Sequence, residues 1–197
     1  FTPELLAVAR RKAQAMGHSD LRFDEGDAGK LPYRDGEFDL VLSTCGHMFA
    51  PDQEQVGREM VRVTKPGGRI AFMAWTPDGG VGRLFQVMNR HLPPPPGVPS
   101  PFAWGVRENV QRLLPGTKDL HFESGDCADF YPNAEAAARM YREKYGPTVR
   151  AFSAVGDAAK QDALWKDLVQ FYQGYVTPVD GKVRWGREYV LTVATKA

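Results

Sequence analysis

The reading of the fold turns on one stretch, Phe38-Asp39-Leu40-Val41-Leu42-Ser43-Thr44, followed by a helical pattern and then Lys65-Pro66-Gly67-Gly68-Arg69-Ile70, running on to Trp75. Residues 38–42 are almost continuously apolar, as expected of a strand buried on both faces. Val56, Met60 and Val63 share one face of a helix over residues 52–64. Lys65-Pro66-Gly67-Gly68 reads as a turn, because proline presets φ at the first central position and glycine permits φ > 0 at the second. Residues 69–75 are a second buried strand. Strand, helix and strand in this order predict an α/β fold with a parallel sheet.

Upstream, Thr2 is a good N-cap, and Pro3 fits a first helical position, where a missing N–H costs nothing. Leu5, Leu6, Ala9, Ala13 and Met16 recur at helical spacing, and Gly17 can stop the helix. Leu21-Arg22-Phe23 reads as a short strand leading into Gly26-Asp27-Ala28. Downstream, residues 81–91 and 107–114 read as helices. Between them Pro93 to Pro96, Pro99 and Pro101 exclude helix and central strand. This stretch is either a spacer or a wall of a pocket. Residues 120–131 form a strand, 133–145 and 157–175 form helices, and 183–195 closes the chain as a strand after the turn Val179-Asp180-Gly181-Lys182. No internal repeat or linker divides residues 1–197, which read as a single domain.

Composition narrows the function. Net charge is +1, from 25 Lys+Arg against 24 Asp+Glu. A duplex-binding domain usually carries a basic excess to neutralise phosphates, so nucleic acid is not an expected partner, nor is a membrane. Cys45 and Cys127 are the only cysteines and neither sits in a CxxC, which argues against a thiolate zinc site and for a reduced, cytoplasmic chain. No metal is implied.

Three features in order, Gly26-Asp27-Ala28 with Leu31-Pro32-Tyr33, Phe38 to Ser43, and Arg62-Val63-Thr64-Lys65-Pro66-Gly67-Gly68-Arg69-Ile70, resemble class I S-adenosylmethionine-dependent methyltransferases. The branch most similar is that of the ubiquinone and menaquinone methyltransferases. The resemblance is close over residues 1–76 and extends only to element order beyond. It implies a Rossmann-like sheet with flanking helices and a helical insertion before the last strands. Residues 77–117 and 133–176 would then cover the acceptor. It also implies S-adenosylmethionine as cofactor, S-adenosylhomocysteine as product, and in-line SN2 methyl transfer to a small-molecule acceptor. A homodimer is compatible with this reading. The family's glycine-rich loop and its ribose-binding acid are not in this sequence. At roughly 30 residues per βαβ unit, the expectation is an N-terminally truncated domain lacking its first two strands. Two other readings stand beside this one: a Rossmann-type enzyme using another nucleotide, and a non-catalytic binding protein of methyltransferase fold.

By the same resemblance, the Asp27 carboxylate would accept from the adenine amino group and the Ala28 N–H would reach a ring nitrogen. A carboxylate is acceptor-only at neutral pH, which selects the amino edge. Phe1 would pack on the adenine face beside Thr2. Ser43 and Thr44 would offer a strand-end carbonyl to the cofactor's ammonium. His47, with an ordinary pKa near 6.5, could act as general base, although a packing role is preferred. Trp75 ends a strand on the site face. Phe85, Phe102, Trp104, Tyr141, Tyr145 and Phe152 lie in the segment expected to cover the acceptor, with Trp104 placed to reach it. Cys45 and Cys127 read as small apolar groups rather than nucleophiles.

Overall fold

The structure, a computed structural model, describes residues 3–197. In chain order it holds α1 (Pro3–Ala15), β1 (Phe38–Thr44), α2 (Gln53–Val63), β2 (Thr64–Trp75), α3 (Gly80–His91), α4 (Arg107–Leu113), β3 (Thr117–Tyr131), α5 (Ala134–Lys144), α6 (Gly146–Ala154), α7 (Ala158–Tyr175), β4 (Thr177–Val179) and β5 (Lys182–Lys196). The sheet order is β1-β2-β5-β3, with β4 paired to β5. Only β1 and β2 lie parallel to one another as neighbours. Strand β5 is antiparallel to both β2 and β3. The expected parallel sheet is therefore mixed. A buried apolar run looks the same in either direction, so periodicity could not give β5 its sense.

Local chemistry places the breaks. The turn expected at Lys65-Pro66-Gly67-Gly68 is instead the start of β2, where Gly67 takes φ 73° and the register with β1 shifts between Phe38 and Leu40. Gly17 takes φ 78° after α1, and Asp180 and Gly181 take φ 46° and 72° between β4 and β5. The last pair makes a two-residue hairpin of the kind that matches strand twist. Asp52, Asn133 and Asp157 cap α2, α5 and α7 by accepting from backbone N–H groups two residues into each helix.

Helices α2 and α4 cover one face of the sheet. Ile70, Phe72 and Ala74 of β2, with Thr192 and Ala194 of β5, are buried there together with Val56, Met60, Val110 and Leu113. Trp104 joins them, fully buried, with its ring 5.1 Å from that of Phe72. Gly57 lets α2 and α4 approach, since a Cβ there would collide with the Leu113 carbonyl. Gly57→Ala is expected to lower stability by about 1–3 kcal/mol, the cost of overpacking a filled interface, as read by urea denaturation. A loss below the error of the measurement would show that α4 yields freely. At the other end of the sheet, Trp185 lies between Tyr141 and Tyr172, at 4.3 and 5.3 Å between ring centroids.

One expected strand is absent. Residues 18–26 carry no strand. A strand needs a ladder partner for its N–H and C=O groups, and among the described residues none pairs with 21–23. Arg10 instead donates to the Phe23 carbonyl at 2.7 Å, and Arg22 pairs with Asp24. The opposite face of β1 is open as well: Leu40 and Leu42 are 49% and 68% exposed.

Candidate active-site cleft

Ligands of open α/β sheets bind beyond the carboxyl ends of the strands. Here the ends of parallel β1 and β2 meet. The Cys45 N–H donates to the Met73 carbonyl at 3.0 Å, and Cys45 itself takes φ 63°. A non-glycine residue in that region is uncommon and costs of order 1–3 kcal/mol. This turn lifts Cys45 to the mouth of a cleft of about 900 Å³. Phe49 and Trp75 extend the floor, Phe85, Met88, Asn89 and Leu92 come from α3, Tyr145 precedes α6, and Arg150 lies within it. Trp75, the last residue of β2, lines this cleft.

A second hollow of about 410 Å³ runs along the free edge of β1 and is bordered by Ala28, Leu31, Val41, Ser43 and His47. Its outer wall is the loop 27–36. The Asp27 carboxylate accepts from the Gly29 N–H at 2.8 Å, and the Gln55 amide donates to the Gly29 carbonyl at 3.1 Å. Arg62 holds the rest of this loop. It donates to the carbonyls of Tyr33 (2.7 Å) and Leu31 (3.1 Å), to Asp35 (2.8 Å), and to both oxygens of Glu59 (2.7 and 2.8 Å). Glu59 in turn accepts from the Leu31 N–H. Its carboxyl is held below the usual range, chiefly by the Arg62 hydrogen bond. The i,i+3 pair Glu59–Arg62 was readable in the sequence, but its role as a loop clamp was not.

The structure separates the candidate residues. Asp27, Ala28 and Ser43 border the edge hollow or its loop, Thr44 is exposed at the end of β1, and Trp75 lines the cleft. Phe1 and Thr2 lie outside the described residues. One expectation is corrected. Trp104 is in the core rather than over the acceptor, because its large ring fills the space against Phe72 and His47. Of the two readings of the proline-rich segment, the spacer is the one that fits, since residues 93–100 are exposed and none lines the cleft. Phe85 and Tyr145 do line it, whereas Phe102, Tyr141 and Phe152 are buried elsewhere.

His47 does not face the cleft. It is 3% exposed, its Nδ1 lies 2.9 Å from Ser43 Oγ, and its ring packs edge-on to Phe72 and Trp104. Burial lowers its pKa to about 4. It is a neutral packing group at neutral pH. Burial pushes the Cys45 thiol up to about 11, so it is no thiolate nucleophile. Arg187, which reaches across the strand ends, carries no signal in the sequence. Its guanidinium lies 5.7 Å from the Trp75 ring centroid and pairs with Asp129 at 2.8 Å.

The fold and site together define an open-sheet α/β protein with a cleft at the carboxyl ends of two parallel strands. The methyltransferase domain family matches residues 1–72. Rv1405c, an uncharacterised protein of Mycobacterium tuberculosis, is 35% identical over 200 residues, covering all of this chain and 71% of that protein. A demethylmenaquinone methyltransferase of Deinococcus radiodurans is 40% identical over 144 residues, 72% of this chain and 54% of that one. The solved structure of the YcgJ protein of Bacillus subtilis has the same fold, with a TM-score of 0.62 at 19% identity over 99% of this chain and 79% of that one. The chain belongs to the class I S-adenosylmethionine-dependent methyltransferases. Among the described residues no helix is long and apolar enough to cross a membrane.

Proposed function

We propose that this chain takes part in methyl transfer from S-adenosylmethionine to a small organic acceptor seated in the cleft between the ends of β1 and β2 and helices α3 and α6. The observation that carries the reading is the strained turn at Cys45, which opens the end of β1 onto an apolar cleft at the place where α/β sheets bind ligands. The chemistry of the Asp27–Ala28 corner fits an adenine edge. An acceptor carboxylate stands beside the Ala28 N–H, which has no hydrogen-bond partner among the described residues. When bound, the cofactor supplies a methyl group on a sulfonium, whose C–S bond breaks as the new bond to the acceptor atom forms, releasing S-adenosylhomocysteine.

The residues of the chain bind and orient. Asp27 and Ala28 hold the adenine, and the strand end at Ser43 and Thr44 faces the amino-acid part. Trp75 and the α3 side chains seat the acceptor and exclude water. Among the described residues no histidine lines the cleft; with an acceptor that is already nucleophilic, in-line positioning supplies most of the barrier reduction.

Calorimetry with S-adenosylhomocysteine tests the cofactor half. Asp27→Ala is expected to weaken binding by about 1.5–3 kcal/mol, the range for a hydrogen bond involving a charged group. Asp27→Asn should weaken it too, because an amide turns a donor toward a donor. Unchanged affinity in both folded variants would reduce Asp27 to the residue that closes the 27–30 turn.

A further inference from the structure

Among the described residues the cleft lining holds a single charged side chain, Arg150, and no aspartate or glutamate. Arg150 is exposed and has neither an ion pair nor a hydrogen bond among the described residues. Arg187 differs, since Asp129 answers its charge. The other polar groups of the lining, the Tyr145 hydroxyl and the Asn89 amide, also lack intramolecular partners among the described residues, and the remaining walls are apolar. Burial pushes the Tyr145 phenol up to about 12, so it stays a hydrogen-bond donor at neutral pH. Gly146 and Pro147, the first residues of the nine-residue helix α6, border the same cavity, and no side chain caps that helix end. The positive end of its dipole adds to the field set by Arg150.

We propose that the acceptor bound in this cleft is a flat apolar molecule bearing one anionic oxygen group of carboxylate type, held by Arg150 with Tyr145 and Asn89 as neutral donors. This rests on the methyl-transfer reading for the word acceptor, while the binding chemistry stands on the cleft alone. A guanidinium matches a carboxylate with two parallel N–H···O bonds. The apolar walls reward a rigid hydrocarbon body through the area that it removes from water. A neutral ligand of the same shape gains only the second contribution. A cation is repelled by the unpaired charge of Arg150.

Two probes separate these contributions: 2-naphthoate and 2-naphthamide, equal in shape and different in charge. Binding to the full chain is read by calorimetry and by quenching of tryptophan emission, since Trp75 lines the cleft. Naphthoate is expected to bind at least fivefold more tightly than naphthamide. Arg150→Gln should abolish that preference while leaving naphthamide affinity within twofold, and Arg150→Lys should keep part of it. Equal affinities of the two probes in the unaltered chain, a preference that survives Arg150→Gln, or no binding of either probe would each overturn the proposal. S-adenosylhomocysteine binding, measured in parallel, tells the two readings apart. Its presence without a naphthoate preference refutes only the anionic acceptor. Its absence with the preference intact withdraws the cofactor reading of the Asp27–Ala28 corner in this chain and leaves the anion site standing.

Discussion

Trp104→Ala is expected to lower the stability of the chain by about 3–5 kcal/mol, the range for removing a buried aromatic side chain, and to leave naphthoate binding in the cleft within about twofold. Trp104 is fully buried and meets the rings of His47 and Phe72 at 4.8 and 5.1 Å. Alanine would leave a void between the 3-10 turn at His47–Phe49 and the α2/α4 face of the sheet. Urea unfolding checks it: the midpoint should fall with an unchanged denaturant slope. Trp104→Phe should cost far less. It keeps most of the packing and removes an indole N–H that is buried without a partner. A small stability loss joined to a large loss of ligand binding would return Trp104 to the acceptor site.

The second large effect is acid sensitivity. His47 has its pKa lowered to about 4 by burial, against about 6.5 in an unfolded chain. Below pH 6.5 the unfolded state binds the extra proton and the folded state does not, so stability falls as the pH drops. His47 alone should remove about 3 kcal/mol between pH 6.5 and 4, at about 1.4 kcal/mol per pH unit. Carboxylates titrate in part of the same window, so the measurement is the difference between the unaltered chain and His47→Gln. The variant is less stable at pH 7, because Ser43 Oγ loses its partner and the aromatic contacts go. Its stability should nevertheless decline less steeply toward pH 4. Parallel curves for the two proteins would mean that His47 is protonated in the fold.

Most of the helices and the long strands were legible because burial periodicity, caps and turn residues are local, whereas α6 (Gly146–Ala154) was not read from the sequence. Asp52, Asn133 and Asp157 announce helix starts, and Asp180-Gly181 announces a turn, through bonds and dihedrals that involve only a few neighbouring residues. Leu21-Arg22-Phe23 shows the limit of that logic. Its composition suits a strand, but a strand exists only through a ladder with another segment, and none pairs with it among the described residues.

The candidate site divides in the same way. Order and spacing along the chain were enough to identify the family and to put Trp75 at the end of a strand. Only the tertiary structure decided that Trp75 meets the cleft while Trp104, of the same chemical type and 29 residues on, goes into the core. It alone turned His47 inward, set β5 antiparallel between β2 and β3, and brought Arg150 from a distant helix to the mouth of the cavity. The reason is physical. The hydrophobic pattern of a segment says that a face will be buried, through the apolar area it takes from water, but that force has no direction and names no partner. Partners are chosen by shape and by charge across contacts between residues far apart in the chain.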